Sequence, residues 1–165
     1  MCEADTQPAF LLDSFNSSTK PTNIELTNNN HTIKSTNSTW KTIRGTTIMK
    51  TGKFSFRFKI DEVPSSTTAT MIGVCKPGVK SICYENQDGW VFYGYNGNKY
   101  HHNVDTSYGA KWKKGDVVGM FVDMDKKTLR FELNGKDYGV AYTNISNELV
   151  LAVDMYYSGE QITIF

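Results

Sequence analysis

The chain has 165 residues, 39% of them hydrophobic and 13% aromatic, enough for one domain with a sizeable core and too apolar for a disordered chain. Lys+Arg 18 against Asp+Glu 17 leaves a formal charge of +1, so no global field draws the chain to nucleic acid or an anionic membrane. The three cysteines, Cys2, Cys75 and Cys83, are too few for a disulfide framework. No signal peptide opens the sequence and no apolar run approaches the roughly 20 residues that span a bilayer, so a cytoplasmic or nuclear chain is expected.

Residues 1–9 read as a flexible start, and residues 10–165 as the domain. Residues 13–39 are rich in Asn, Ser and Thr, are broken by Pro21, and hold apolar islands at 24–26 and at Ile33. That composition predicts short edge strands and loops. Sequons at Asn16, Asn30, Asn37 and Asn144 carry little weight in so Asn-rich a chain without a secretion signal.

Period two then takes over. Phe54, Phe56, Phe58 and Ile60 alternate with Lys53, Ser55, Arg57 and Lys59, which predicts a strand with one buried face and one wet one. Leu129, Phe131 and Leu133 repeat the pattern, as do Ile162 and Ile164. The runs 69–74, 117–122 and 149–153 are almost continuously apolar, as in strands covered on both faces. Asn96-Gly97 and Asn134-Gly135 predict type I′ hairpins, and Asp125-Lys126-Lys127 a third tight connection. About a dozen short strands with no helix beyond a turn or two predict an all-β fold, a two-layer antiparallel β-sandwich. The lysines at 111, 113, 114, 126 and 127 fall beside turns and read as solvated loop tips.

These elements carry a resemblance. WKTIRG (40–45), TGKFSFRFKI (51–60), the Gly-Val segment at 73–75 and DGWVFYGYNGNKYHHN (88–103) resemble, in order, the motifs of SPRY domains. So does YGAKWKKGDVVGMFVDMDKKTLRFELNGKDYGVAYTNI (108–145). The resemblance covers residues 10–165 and implies a concanavalin-like jelly-roll sandwich. Most of the matching residues have scaffold duties, so it speaks to fold more directly than to ligand.

No residue pattern announces catalysis, and the chain is read as no enzyme, without cofactor or metal. Asp123-x-Asp125 lacks the Gly and Glu a calcium loop needs at its sixth and twelfth positions, where Thr128 and Asn134 stand. His101 and His102 adjoin in an expected strand and point to opposite faces. Cys75 and Cys83 lie in apolar surroundings and read as small buried hydrophobes. Tyr156-Tyr157-Ser158-Gly159 interrupts the strand pattern, and at least one of the two rings is expected to be exposed for recognition.

SPRY domains bind peptide segments or folded partners through loops at one end of the sandwich, many of them in ubiquitin-ligase substrate receptors or signalling scaffolds. Carried over by pattern, the partner-binding loops here are 33–39, 76–86 and 156–159. Their candidate contacts are Ser35, Thr36 and Asn37; Lys76, Val79, Ile82 and Tyr84; and Tyr156 and Tyr157. Adaptor members that capture Asn-containing acidic peptides have Arg-Arg-Pro where this chain has Ile33-Lys34-Ser35, so the platform is implied and that ligand is not. The expected partner is a protein or peptide bound by a monomeric domain. The alternative is a carbohydrate-binding sandwich that uses Trp90, His101, His102 and Asn103.

Overall fold

The alternating and all-apolar runs become thirteen strands in two antiparallel sheets. The computed structural model describes residues 8–80 and 82–165. The strands are β1 (Ile24–Thr27), β2 (Thr32–Ser35), β3 (Lys41–Arg44), β4 (Lys53–Glu62), β5 (Met71–Cys75), β6 (Gly89–Tyr93) and β7 (Lys99–His101). They continue with β8 (Val104–Thr106), β9 (Val117–Asp123), β10 (Thr128–Leu133), β11 (Lys136–Tyr142), β12 (Val150–Met155) and β13 (Gln161–Ile164). One sheet has the order β1-β2-β13-β4-β9-β10-β11 and the other β3-β12-β5-β6-β7-β8. A 3-10 turn at Cys83–Glu85 is the one helical element among the described residues.

The inner faces bury a single core. Phe56, Phe58 and Ile60 of β4 meet Ile72 and Val74 of β5, Phe92 of β6, Phe131 of β10, and Leu151 and Val153 of β12. Tyr142 stitches the layers together: from β11 its hydroxyl donates to the backbone carbonyls of Val91 at 3.0 Å and Tyr100 at 2.8 Å. The Asn/Thr-rich start contributes more than edge structure. Phe15, Ile24 and Ile33 are fully buried, and β2 lies inside its sheet between β1 and β13. The run Asn28, Asn29, Asn30 is the β1–β2 turn, all three at left-handed φ, a conformation that asparagine tolerates better than most residues. The expected flexible start at 1–9 falls mainly on residues 1–7, outside those described, as does Cys2.

Other details depart from expectation. Ser55 is buried, because the N-terminal segment bridges to it at Phe10 and Leu11 N–H donates to its carbonyl at 2.7 Å. β9 is covered fully on one face only: Val117 and Phe121 on the other are half-buried, and Phe121 is roofed by the Arg130 guanidinium 4.0 Å from its ring. Asn134-Gly135 is type I′ as expected, with φ of 51° and 81°. Asn96-Gly97 is not. There the β6–β7 loop is longer, Gly97 N–H reaches back to the Tyr93 carbonyl, and only Gly97 is left-handed. His102-Asn103 makes the two-residue turn between β7 and β8 instead, with φ of 51° and 61°, so His102 is a turn residue and not a strand one.

One glycine is fixed by close approach. A Cβ on Gly73 of β5 would lie 1.8 Å from the Trp90 carbonyl oxygen and 2.7 Å from Val91 Cα, backbone atoms of the neighbouring strand that cannot rotate away. Gly73→Ala is expected to cost about 1–3 kcal/mol, the scale of core overpacking. The check is a lower urea midpoint at unchanged m value.

Candidate functional site

The six-stranded sheet buries its inner side in the core and lines its outer side with large rings. The register places Thr42, Asp154, Met71 and Tyr93 in one cross-strand row and Val91 beside Tyr100 in another. Residues 76–80 and 82–88 fold back over part of this outer face. Their 3-10 turn presses Cys83 against Cys75, Val91 and Val150, with Val79 in the same cluster. What they leave uncovered is aromatic.

Trp40, just ahead of β3, is the hub. Its ring centroid lies 5.2 Å from Tyr84, 6.4 Å from Tyr93 and 5.3 Å from Tyr156. Tyr100 meets Tyr84 edge to face at 6.1 Å and Tyr93 at 5.2 Å. Tyr95 extends the network from Tyr93 at 5.7 Å, and Tyr157 from Tyr156 at 5.0 Å. Tyr95 is 51% exposed and the other six rings are half-buried. Such rings offer large area at a cost of two torsions each, the property that favours tyrosine and tryptophan at binding surfaces.

Three buried ionisable groups anchor the loops around this face. Asp154, from the middle of β12, accepts from Thr42 Oγ1, from Cys83 N–H at 3.3 Å and, on its other oxygen, from Tyr84 N–H at 3.0 Å. It therefore pins the turn that carries Tyr84. Glu160 accepts from Tyr156 and Tyr157 N–H, both at 3.1 Å, and from Ala69 N–H at 2.6 Å and Thr68 Oγ1 at 3.1 Å. Lys41 Nζ donates to Ser35 Oγ at 2.5 Å, the Asn37 carbonyl at 2.7 Å and the Tyr156 carbonyl at 3.4 Å, tying the first loop to the last. Burial holds this amine below the usual lysine range, offset by the nearby Glu160 carboxylate.

Burial raises the Asp154 carboxyl to about 6 and also raises Glu160, against the hydrogen bonds that favour the anions. An unfolded aspartate titrates near 3.9. Between about pH 4 and 6 the native chain therefore holds more protons than the unfolded one, and this contribution to stability falls as pH rises through that window, then levels off. Two pKa units correspond to about 3 kcal/mol. Relative to Asp154→Asn, the wild type is expected to gain stability as pH drops from 7 to 5, read from urea midpoints at each pH.

The structure separates the candidate contacts. Tyr84, Tyr156 and Tyr157 join the aromatic network, although neither Tyr156 nor Tyr157 is exposed: Trp40 backs the first ring and Tyr156 the second. Ser35 is fully buried at the end of β2, so it supports the loop and cannot touch a partner; the loop proper begins at Thr36. Thr36 and Asn37 are exposed beside it, with the Asn37 side chain bonded to Asn23 and Thr39. Val79 is nearly buried, its carbonyl taken by Arg44. With Ile82 it lines a groove of about 320 Å³ next to Trp40, Arg44 and Lys80. Lys76 pairs with Asp88 at 3.0 Å on a separate, broader cleft of about 840 Å³. Trp40, Tyr93, Tyr95 and Tyr100 belong to the face and were not among the candidates. The signal for one of them, Tyr93, was in GWVFY, where Val91 and Tyr93 alternate with Trp90 and Phe92 and so face away from the core.

The competing chemistries find their groups otherwise engaged. Trp90 is 7% exposed and stacks on His101 with centroids 5.1 Å apart and planes 8° from parallel, so it is no platform for a sugar ring. His101 Nδ1 bonds the Gly89 carbonyl at 2.7 Å, not a carboxylate. Asp123 Oδ1 accepts from Asp125 and Lys126 N–H, and Asp125 accepts from Gly52 N–H at 2.9 Å, the duties of turn residues. Cys75 and Cys83 are both free and fully buried, and their mutual side-chain contact together with burial pushes the Cys83 thiol up, away from reactivity.

Comparison with known proteins places this geometry. Over 114 residues the chain is 28% identical to the probable ATP-dependent RNA helicase ddx1 of Dictyostelium discoideum, and over 74 residues 28% identical to the ATP-dependent RNA helicase DDX1 of Xenopus laevis. These matches take in 67% and 42% of the chain but only 14% and 10% of the helicases. The fold superposes on the SPRY domain of human HERC1 with a TM-score of 0.79 at 23% identity, covering 92% of this chain and 96% of that one. On the TRIM65 PSpry domain the TM-score is 0.78 at 12% identity, covering 94% and 93%. The SPRY domain family model matches residues 53–165, most of both sheets, and the chain belongs to the SPRY domain family, a family of protein-interaction modules.

Proposed function

We propose that the chain recognises a protein partner, gripping an extended segment on the aromatic face of its six-stranded sheet, without catalysis. The observation that carries this reading is the contiguous network of seven rings, from Tyr157 through Trp40 to Tyr95, half-exposed on a rigid sheet. The loops beside it are held by buried anchors, so little ordering is left to be lost on binding. Trp40 and the tyrosines would supply affinity, while Thr36, Asn37 and Ile82 at the margin would set register. Such a module suits a substrate receptor of a ubiquitin ligase or a scaffold of a signalling complex, acting as a monomer in the cytoplasm.

The test is affinity capture of partners with wild type, a Trp40→Ala, Tyr156→Ala variant and a Val140→Ala control on the opposite sheet. Loss of tenfold or more in recovery is expected for the double variant alone, on the scale of removing a binding hot spot. Equal recovery by all three would place the binding surface elsewhere.

A further inference from the structure

The aromatic face has a charge of its own, and it is lopsided. Two exposed carboxylates stand at its β7 end. Asp105 Oδ2 accepts from Tyr100 Oη and Asn98 Nδ2, both at 3.1 Å, and Glu85 follows Tyr84 on the 3-10 turn, its exposed carboxylate beside that phenol. Because Tyr84 and Tyr100 meet edge to face at 6.1 Å, these carboxylates flank one ring pair. Asp154 lies buried beneath the turn that carries Tyr84, and Glu160 beneath the loop that carries Tyr156 and Tyr157. After burial itself, Glu85 is the next largest influence pushing the Tyr84 phenol up to about 12. Among the described residues neither Glu85 nor Asp105 has a cation within ion-pair distance.

The cations nearby are committed elsewhere. Lys41 is buried with its amine on Ser35, Asn37 and Tyr156, and Lys76 pairs with Asp88. Arg44 donates to the Val79 carbonyl and lies with Lys80 on the other side of Trp40, along the 320 Å³ groove. The β7 end of the face is therefore electron-rich π surface rimmed by carboxylates. That combination attracts a flat, weakly hydrated cation, which can lie on the rings while its N–H groups meet carboxylate oxygens. A nucleic-acid phosphate would be repelled there.

Building on the proposed peptide-binding face, we propose that its ligand is an extended segment bearing an arginine, whose guanidinium lies over Tyr84, Tyr93 and Tyr100 between Glu85 and Asp105. The arginine fixes the direction of the segment: its charge sits at the β7 end, and the residues that follow toward Trp40 are uncharged or acidic, facing Lys80.

Four pools of fluorescein-labelled nine-residue peptides test this, identical except for a central arginine, citrulline, leucine or glutamate, with other positions randomised. Citrulline keeps the shape of arginine and removes its charge. By fluorescence anisotropy the arginine pool is expected to bind about tenfold tighter than the citrulline and leucine pools, the effect of one desolvated cation–π contact with its carboxylates. That advantage should vanish in the Glu85→Gln, Asp105→Asn variant, whose exposed substitutions leave the melting temperature unchanged. Arginine and citrulline binding equally, with binding still lost in Trp40→Ala, would overturn the arginine assignment and leave peptide recognition standing. Tighter binding of the leucine or glutamate pool would do the same, and an arginine pool without saturable binding would also overturn it.

Discussion

Asp154→Ala is expected to lose about 2–4 kcal/mol of stability at neutral pH and most of the affinity for a partner. The carboxylate is fully buried, and the cost of burying it is returned when it is removed. What is left behind costs more: the N–H groups of Cys83 and Tyr84 lose their acceptor inside a dry cluster, at about 1–3 kcal/mol each. Thr42 can turn its hydroxyl, which Cys83 N–H also approaches at 3.2 Å, so part of the loss is recovered. The turn then has no reason to keep Tyr84 against Trp40 and Tyr100, and the face loses a wall. Urea unfolding measures the first effect and partner capture the second. A variant that unfolds early yet recovers the partner at full yield would show that the turn takes no part in binding.

Phe92→Ala should cost stability without costing affinity. Phe92 stands on β6 next to Tyr93 but faces inward, fully buried among Tyr108 at 5.4 Å, Trp112 at 5.0 Å and Phe131 at 5.1 Å. Removing the ring opens a cavity that these large, interlocked neighbours cannot collapse into. The expected cost is about 3–5 kcal/mol, a fall in melting temperature of roughly 10 °C or more for a chain of this size. Below the transition, binding should be nearly unchanged, because the outer side of β6 keeps Tyr93 and its register to β5 and β7. Calorimetry followed by capture at 10 °C checks both halves. Asp154 on the outer side and Phe92 on the inner, both destabilising but only the first costing affinity, would define the two sides of one sheet.

The fold was legible wherever period two held, as in Phe56, Phe58 and Ile60 or Leu129, Phe131 and Leu133, since a strand with alternating burial has one solution. It was less legible where backbone conformation overrode composition. Asn96-Gly97 is the stronger local signal, yet His102-Asn103 makes the tight turn, because the strand ladder from Tyr100 to Asp105 sets the register. The candidate site was half legible. Tyr84, Tyr156 and Tyr157 follow from motif order. Trp40 and Tyr100 stand inside motifs that mark the fold and so do not suggest themselves as contacts, although a residue can mark the fold and face outward. Ser35 was misplaced because a polar residue at a strand end looks like loop until its hydroxyl is found under Lys41. Asp154 and Glu160 left a usable trace: a carboxylate between Val153 and Met155, or just before Gln161 of β13, breaks an apolar pattern and asks what it anchors.

Photocrosslinking tests the recognition face most directly. A benzophenone amino acid placed at Tyr95, 51% exposed at the edge of the ring network, samples whatever lies on that face. The same group at Val140, 54% exposed on the other sheet, is the control. The captured partner should crosslink from position 95, not from 140, and the product should disappear when Trp40→Ala is added. Crosslinking from position 140 instead, or a product at 95 that is indifferent to Trp40, would contradict the assignment of this face.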